Sequence, residues 1–132
     1  MTWRRSIGAA AVLAALGGAG ASAVPAAGGS LDSRATAVGV AEREFRISPY
    51  RRTVPPGAVK FNVKNFGEDA HDLVVFSPKG RKLATTGEIG AGAQAVLQVK
   101  LRTAGVYRLV CTQADHAARG MKSRITVRAT RR

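Results

Sequence analysis

The chain has 132 residues, with 21 Lys and Arg against 8 Asp and Glu, a single cysteine and 5% aromatic residues. That length holds one domain with a lean core, and one cysteine excludes an internal disulfide. The net charge of +13 and a pI near 11.4 admit nucleic acid, an anionic membrane or an acidic protein as partner; with no nucleic-acid-binding motif in view, nucleic acid is not expected.

Residues 1–23 have the parts of a secretory signal. Arg4 and Arg5 form a positive start, Ile7 to Leu16 an apolar run, and Ala21-Ser22-Ala23 a small-residue cleavage site. Cleavage there leaves all eight acidic and 19 of the 21 basic residues, a net +11. The paired arginines also fit twin-arginine export of a folded protein. An uncleaved anchor is disfavoured, because the stretch is rich in Ala and Gly and is broken by Pro25. Residues 24–34 read as a flexible leader, and the folded domain is expected over 35–132.

From there the pattern is strand after strand. Val38 and Val40 alternate with small residues, then Phe45 and Ile47 with polar ones, and the change of parity predicts a β-bulge or bend near residues 41–43. Ser48-Pro49 and Pro55-Pro56-Gly57 predict turns, with a short strand over 50–54 between them. Val59, Phe61 and Val63 alternate with Lys60, Asn62 and Lys64, a half-buried strand. Asn65-Phe66-Gly67 breaks it, and residues 71–76 form a mostly apolar strand closed by Ser77-Pro78-Lys79-Gly80. A polar, Gly-rich connection leads to alternating Leu97, Val99 and Leu101. Tyr107, Leu109 and Cys111 share one face of the next strand, and Ile125 and Val127 mark the last. Seven or eight short strands with frequent turns predict an all-β, antiparallel Greek-key β-sandwich. Lys and Arg at outward positions suit solubility and edge protection.

The loop after the cysteine strand carries the chemistry. Cys111, His116 and Met121 are the only cysteine, one of two histidines and the only methionine besides the initiator, with four residues between each pair. The other histidine, His71, opens the strand over 71–76, and a sandwich brings such strand ends to one pole. One thiolate, two imidazoles and one thioether suit copper, as His₂Cys with a weak axial Met. Structural zinc sites rarely use Met, and catalytic ones keep an open water position. Singly, a strand-end histidine is more often a surface residue, and a methionine more often core filler. Together, every His, the Cys and the Met fall on one pattern.

These residues resemble the cupredoxins, the small blue (type 1) copper proteins of the plastocyanin, rusticyanin and auracyanin kind. The matching features are Asn65-x-Gly67 running into His71-Asp72, the Gly105-Val106-Tyr107 entry to the cysteine strand, and Cys111…His116…Gly120-Met121. They span residues 38–127. The resemblance implies His71, Cys111 and His116 as equatorial ligands and Met121 as axial ligand of one copper ion. Asp72 stands where many cupredoxins have Asn, a residue that ties the ligand loops together, and Asp115 where Gly is frequent. Both carboxylates bear on the redox potential.

The expected function is an exported, periplasmic or cell-envelope one-electron carrier cycling Cu(II)/Cu(I). The resemblance implies electron exchange through His116, with Ala117, Ala118 and residues 90–92 as a small apolar rim. Its partner is expected to be a redox protein with an acidic docking surface, met by a monomer with at most peripheral membrane association. The rival readings are an envelope copper-delivery protein and a metal-free cupredoxin-like binding module. An oxygen-reducing enzyme is excluded by counting: two histidines cannot build a trinuclear cluster, nor one cysteine a dinuclear centre.

Overall fold

The computed structural model describes residues 34–131. The expected signal peptide, and all of the leader but Arg34, lie outside the described residues. Nine strands follow in order: β1 (Thr36–Arg43), β2 (Arg46–Pro49), β3 (Thr53–Val54), β4 (Gly57–Asn65), β5 (Val74–Phe76), β6 (Lys82–Thr85), β7 (Gln94–Leu101), β8 (Gly105–Val110) and β9 (Lys122–Val127). They build two sheets, ordered β2-β1-β4-β7 and β3-β9-β8-β5-β6. Among the described residues no helix is long and apolar enough to cross a membrane.

The alternation read along the strands is the alternation observed. Val38 and Val40, Val59, Phe61 and Val63, Tyr107 and Leu109, and Ile125 and Val127 all point into one core between the sheets. Burying a Val, Leu, Ile or Phe side chain in this way contributes about 1.5–3 kcal/mol each.

Several expectations are corrected. The sandwich is all-β, but its sheets are mixed, because β1 runs parallel to β4 and β3 parallel to β9. The chain crosses to the second sheet at β3 before returning as β4, so β1 and β4 point the same way. The parity change near residues 41–43 is not a bulge: Arg43 faces Arg46, and Glu44-Phe45 form a two-residue hairpin turn. Pro49 pairs with Val40 inside β2 instead of starting a turn. Of the strand expected over 50–54, only Thr53–Val54 pairs. His71 makes an isolated bridge to Ile89, and the regular strand begins at Val74. The polar connection contains an edge strand, β6, paired to β5.

The strand directions bring the important connections to one end. β1 and β4 both finish there, and β7 starts there opposite Lys64. In the other sheet Val74 faces both Thr85 and Val110, so residues 71–73, 86–89 and the loop after Val110 share that end. Asn65 locks the two sheets together at this point. Its side-chain amide donates to the carbonyls of Asp69 (2.8 Å) and Ile89 (2.9 Å), and its Oδ1 accepts from the Gly67 N–H at 2.8 Å. This Asx turn is what the Asn-x-Gly spelling encodes.

Candidate metal centre

Three of the four expected ligands meet at this end. His71 Nδ1 and His116 Nδ1 are 3.2 Å apart, and Cys111 Sγ lies 4.0 Å from the first and 3.6 Å from the second. All three side chains are buried, and their donor atoms fall within 4.8 Å of one another. Met121 is fully buried in the core cluster. Its backbone closes the loop on both neighbours: its N–H donates to His116 O (3.0 Å) and its carbonyl accepts from Cys111 N–H (3.1 Å). The eleven-residue loop therefore returns the chain from β8 to β9 with Cys111, His116 and Met121 held close by main-chain bonds.

The donors fit a soft or borderline metal. Burial pushes the Cys111 thiol up to about 11, so without a cation the sulfur keeps its proton. Only a positive charge between the sulfur and the two imidazoles would favour the thiolate there. Burial also lowers the pKa of His71, so its ring is neutral and one nitrogen is free to ligate. Two imidazoles and a thiol converging in a buried pocket are a poor hydrogen-bonded core and a good set of copper donors.

The surroundings fix these donors. The Asp72 carboxylate reaches from beside His71 to the residue after Cys111, accepting from Thr112 N–H and Thr112 Oγ1, each at 2.5 Å. It thus ties the two ligand segments, as the resemblance implied for this position. Asp115 turns away from the donors: it is 60% exposed and pairs with Arg119 at 2.7 Å, whose hydrogen bond lowers its pKa. The His116 ring is nearly buried. Phe45 meets it edge-on with centroids 5.2 Å apart, and the Arg119 guanidinium lies 4.7 Å over Phe45. Asp69 stands 3.7 Å from His116 Nε2. Of the residues expected to form a docking rim, Gly90, Ala91, Gly92 and Ala118 are exposed and Ala117 is half-buried.

Two carboxylates were not anticipated from the sequence. Glu44, on the hairpin turn, sits 3.3 Å from His71 Nε2. Its Oε1 also accepts from the N–H groups of Glu68 (2.7 Å) and Asp69 (2.8 Å). Those backbone bonds, Asp69 first, hold its pKa down to about 2. Glu42 is fully buried on the core face of β1, and neither carboxylate oxygen has a hydrogen-bond partner. Burial, with the nearby Asp72 charge adding to it, pushes its pKa up to about 8. Its parity with Val38 and Val40 was the available signal.

The described residues form a two-sheet sandwich with His-Cys-His donors at one pole, the arrangement that the resemblance to cupredoxins implied. No family model matches the chain, and no curated protein matches it in sequence. Solved structures do. It is similar to a dithionite-reduced auracyanin from the photosynthetic bacterium Roseiflexus castenholzii, at TM-score 0.63 and 21% identity, covering 71% of this chain and 98% of that one. It is similar to auracyanin B at TM-score 0.60 and 19% identity, over 71% of this chain and 89% of the other. Auracyanin A of Chloroflexus aurantiacus, described as a "blue" copper protein, aligns at TM-score 0.56 and 14% identity over 70% of this chain and 98% of its own. At these identities the likeness establishes the cupredoxin fold.

Proposed function

We propose that the chain is an exported mononuclear type 1 copper protein that carries one electron at a time. His71, Cys111, His116 and Met121 are the residues that would hold the copper ion. The observation that carries this reading is the convergence of His71 Nδ1, His116 Nδ1 and Cys111 Sγ, all buried, within 4.8 Å. A bound copper ion would supply the Cu(II)/Cu(I) couple: one electron enters, one leaves, and no protein bond is made or broken.

The protein's share is to hold the donors so that little moves between the two charges. The Asp72–Thr112 bonds, the Asn65 bonds and the main-chain bonds of Met121 do this. Burial of all three donors excludes water. The electron passes through the edge of His116 and the small residues around it. The net positive charge steers an acidic partner from a distance. At contact the partner meets a mixed rim, with Glu68, Asp69 and Asp115 beside Arg119 and Lys64.

Loading purified protein with Cu(II) tests the reading. An intense visible thiolate-to-copper band is expected, bleached on reduction and absent in Cys111→Ser. A copper-loaded protein without that band would be a delivery protein, and one that takes no copper a metal-free module.

A further inference from the structure

All seven carboxylates of the described residues lie at the metal end: Glu42 and Glu44 where β1 turns, Glu68, Asp69 and Asp72 after β4, Glu88 before β7, and Asp115 after β8. Three of them border the His116 edge. Asp69 stands 3.7 Å from His116 Nε2 and is 57% exposed, Glu68 beside it is exposed, and Asp115 is offset by Arg119. The charge at this edge is therefore negative, opposite in sign to the net charge of the chain. Eight-residue strands such as β1 and β7 put the far end about 25 Å away at 3.3 Å per residue. That is about three Debye lengths at physiological salt, so the far cations do not offset these carboxylates at contact. An acidic surface laid squarely on His116 meets like charge.

Around the corner the sign reverses. The positions of β1, β2, β4 and β7 that point away from the core carry Arg43, Arg46, Lys60, Lys64 and Lys100, and no carboxylate. Of the four large apolar side chains exposed among the described residues, Phe66 is the one at the metal end. It occupies the next outward position after Lys64. The Arg43 guanidinium lies 5.0 Å from its ring centroid and the Lys64 ammonium 5.9 Å, both cation–π contacts. Lys64 Nζ also donates to Gly92 O, joining the patch to the 90–92 turn. The ring holds two long side chains in place, so less rotamer freedom is lost when a partner meets them. An exposed aromatic framed by fixed cations has the composition of a binding hot spot. It is also close to the centre: Phe45, two residues after Arg43, meets the His116 ring edge-on with centroids 5.2 Å apart.

We propose that an acidic protein partner docks side-on, with an apolar group seated on Phe66 and its carboxylates on Arg43 and Lys64, and not squarely over His116. The proposal rests on the electron-carrier reading and sharpens it. Side-on docking keeps the partner's acidic surface clear of Glu68, Asp69 and Asp115, and brings it to His116 from the Phe45 side. The patch is made without any metal donor, so metal-free and metal-loaded protein present it alike.

Two measurements test it. The first uses metal-free protein, so it reads the surface whatever the copper titration shows. Naphthalene-1,5-disulfonate, an apolar ring system carrying two anionic groups, is titrated into nitrogen-15-labelled protein at low salt and followed by amide NMR shifts. The amides of Arg43, Lys64 and Phe66 are expected to move together, and those of residues 115–118 to stay. Phe66→Ser, and separately Arg43→Gln/Lys64→Gln, should each weaken binding at this corner roughly 3–10-fold. No shifts at the corner, or larger ones at residues 115–118, overturn the proposal. The second follows copper-loaded, reduced protein as hexacyanoferrate(III) oxidises it, one electron passing from Cu(I) to Fe(III). Arg43→Gln/Lys64→Gln should slow this roughly 5–10-fold at low salt and flatten its dependence on salt. Lys79→Gln/Arg81→Gln removes the same charge at the far end and should leave the rate unchanged. Equal slowing in the two variants would mean that net charge alone steers the anion, and overturns side-on docking.

Discussion

The Glu44 carboxylate stands 3.3 Å from His71 Nε2, on the far side of the ring from the Nδ1 that faces Cys111. One carboxylate thus backs a candidate metal ligand while its Oε1 is held by the N–H groups of Glu68 and Asp69. Such a partner keeps the proton on Nε2, frees Nδ1 for metal and makes the ring a stronger donor. Glu44→Gln retains an oxygen for the two backbone N–H groups and removes the charge. It should weaken copper binding roughly 10–100-fold and raise the reduction potential, because a negative charge near the centre favours Cu(II). Metal titration and voltammetry read the two effects. An unchanged potential would sink the assignment.

Asp72→Asn makes a parallel case with a different geometry. The amide can still accept from Thr112 N–H, and the Thr112 hydroxyl can turn to accept from the new NH₂. The tie between the ligand segments survives while the charge is lost. The potential should rise, with a stability change of about 1 kcal/mol or less. Voltammetry beside chemical denaturation separates charge from scaffold. A lower potential would defeat this view of Asp72.

Glu42 governs a pH dependence of stability. Its carboxyl is pushed up to about 8 in the folded protein, against an ordinary value near 4.5 when unfolded. The folded state therefore binds the proton more tightly. Folding carries no ionisation cost from this group below about pH 4.5, and loses stability as pH rises toward 8. The slope approaches about 1.4 kcal/mol per pH unit, a loss of several kcal/mol across the window. Glu42→Leu should abolish this component and stabilise the metal-free protein at pH 8 far more than at pH 4.5. Denaturation curves of the two proteins at several pH values give the difference directly. Asp72→Asn should shrink the effect, since the Asp72 charge helps to keep Glu42 protonated.

The sequence showed the donors more plainly than their supports. His71, Cys111 and His116 stood out because they are rare here, and the alternation of Val59-Phe61-Val63 and Tyr107-Leu109-Cys111 was enough to place the cysteine on the core face. Alternation carries no strand direction, so the parallel pairing of β1 with β4 was invisible. The four residues of β6 include one large apolar side chain, Leu83, and form an edge strand that needs no buried face. Glu44 read as an outward strand position. The two-residue turn between Arg43 and Arg46 instead swings it across the pole to a histidine 27 residues on, a contact with no local signature. Glu42 had the right parity for burial, but a carboxylate is rarely buried without a partner.

Gly67 offers a test of the same support from the other side. A Cβ added at Gly67 would run into the Glu44 carboxylate, the movable end of a flexible side chain. In Gly67→Ala the carboxylate should therefore swing off His71 while the backbone stays. The N–H groups of Glu68 and Asp69 would lose their acceptor, but these bonds are exposed, so the stability loss should stay near about 1 kcal/mol. The copper site should suffer more, with an affinity loss approaching that of Glu44→Gln. In a Glu44→Ala background there is no carboxylate to displace, so adding Gly67→Ala should cost nothing further in affinity. Copper titrations of the four proteins close this double-mutant cycle. Additive losses would mean that Gly67 acts on the centre by some route other than Glu44.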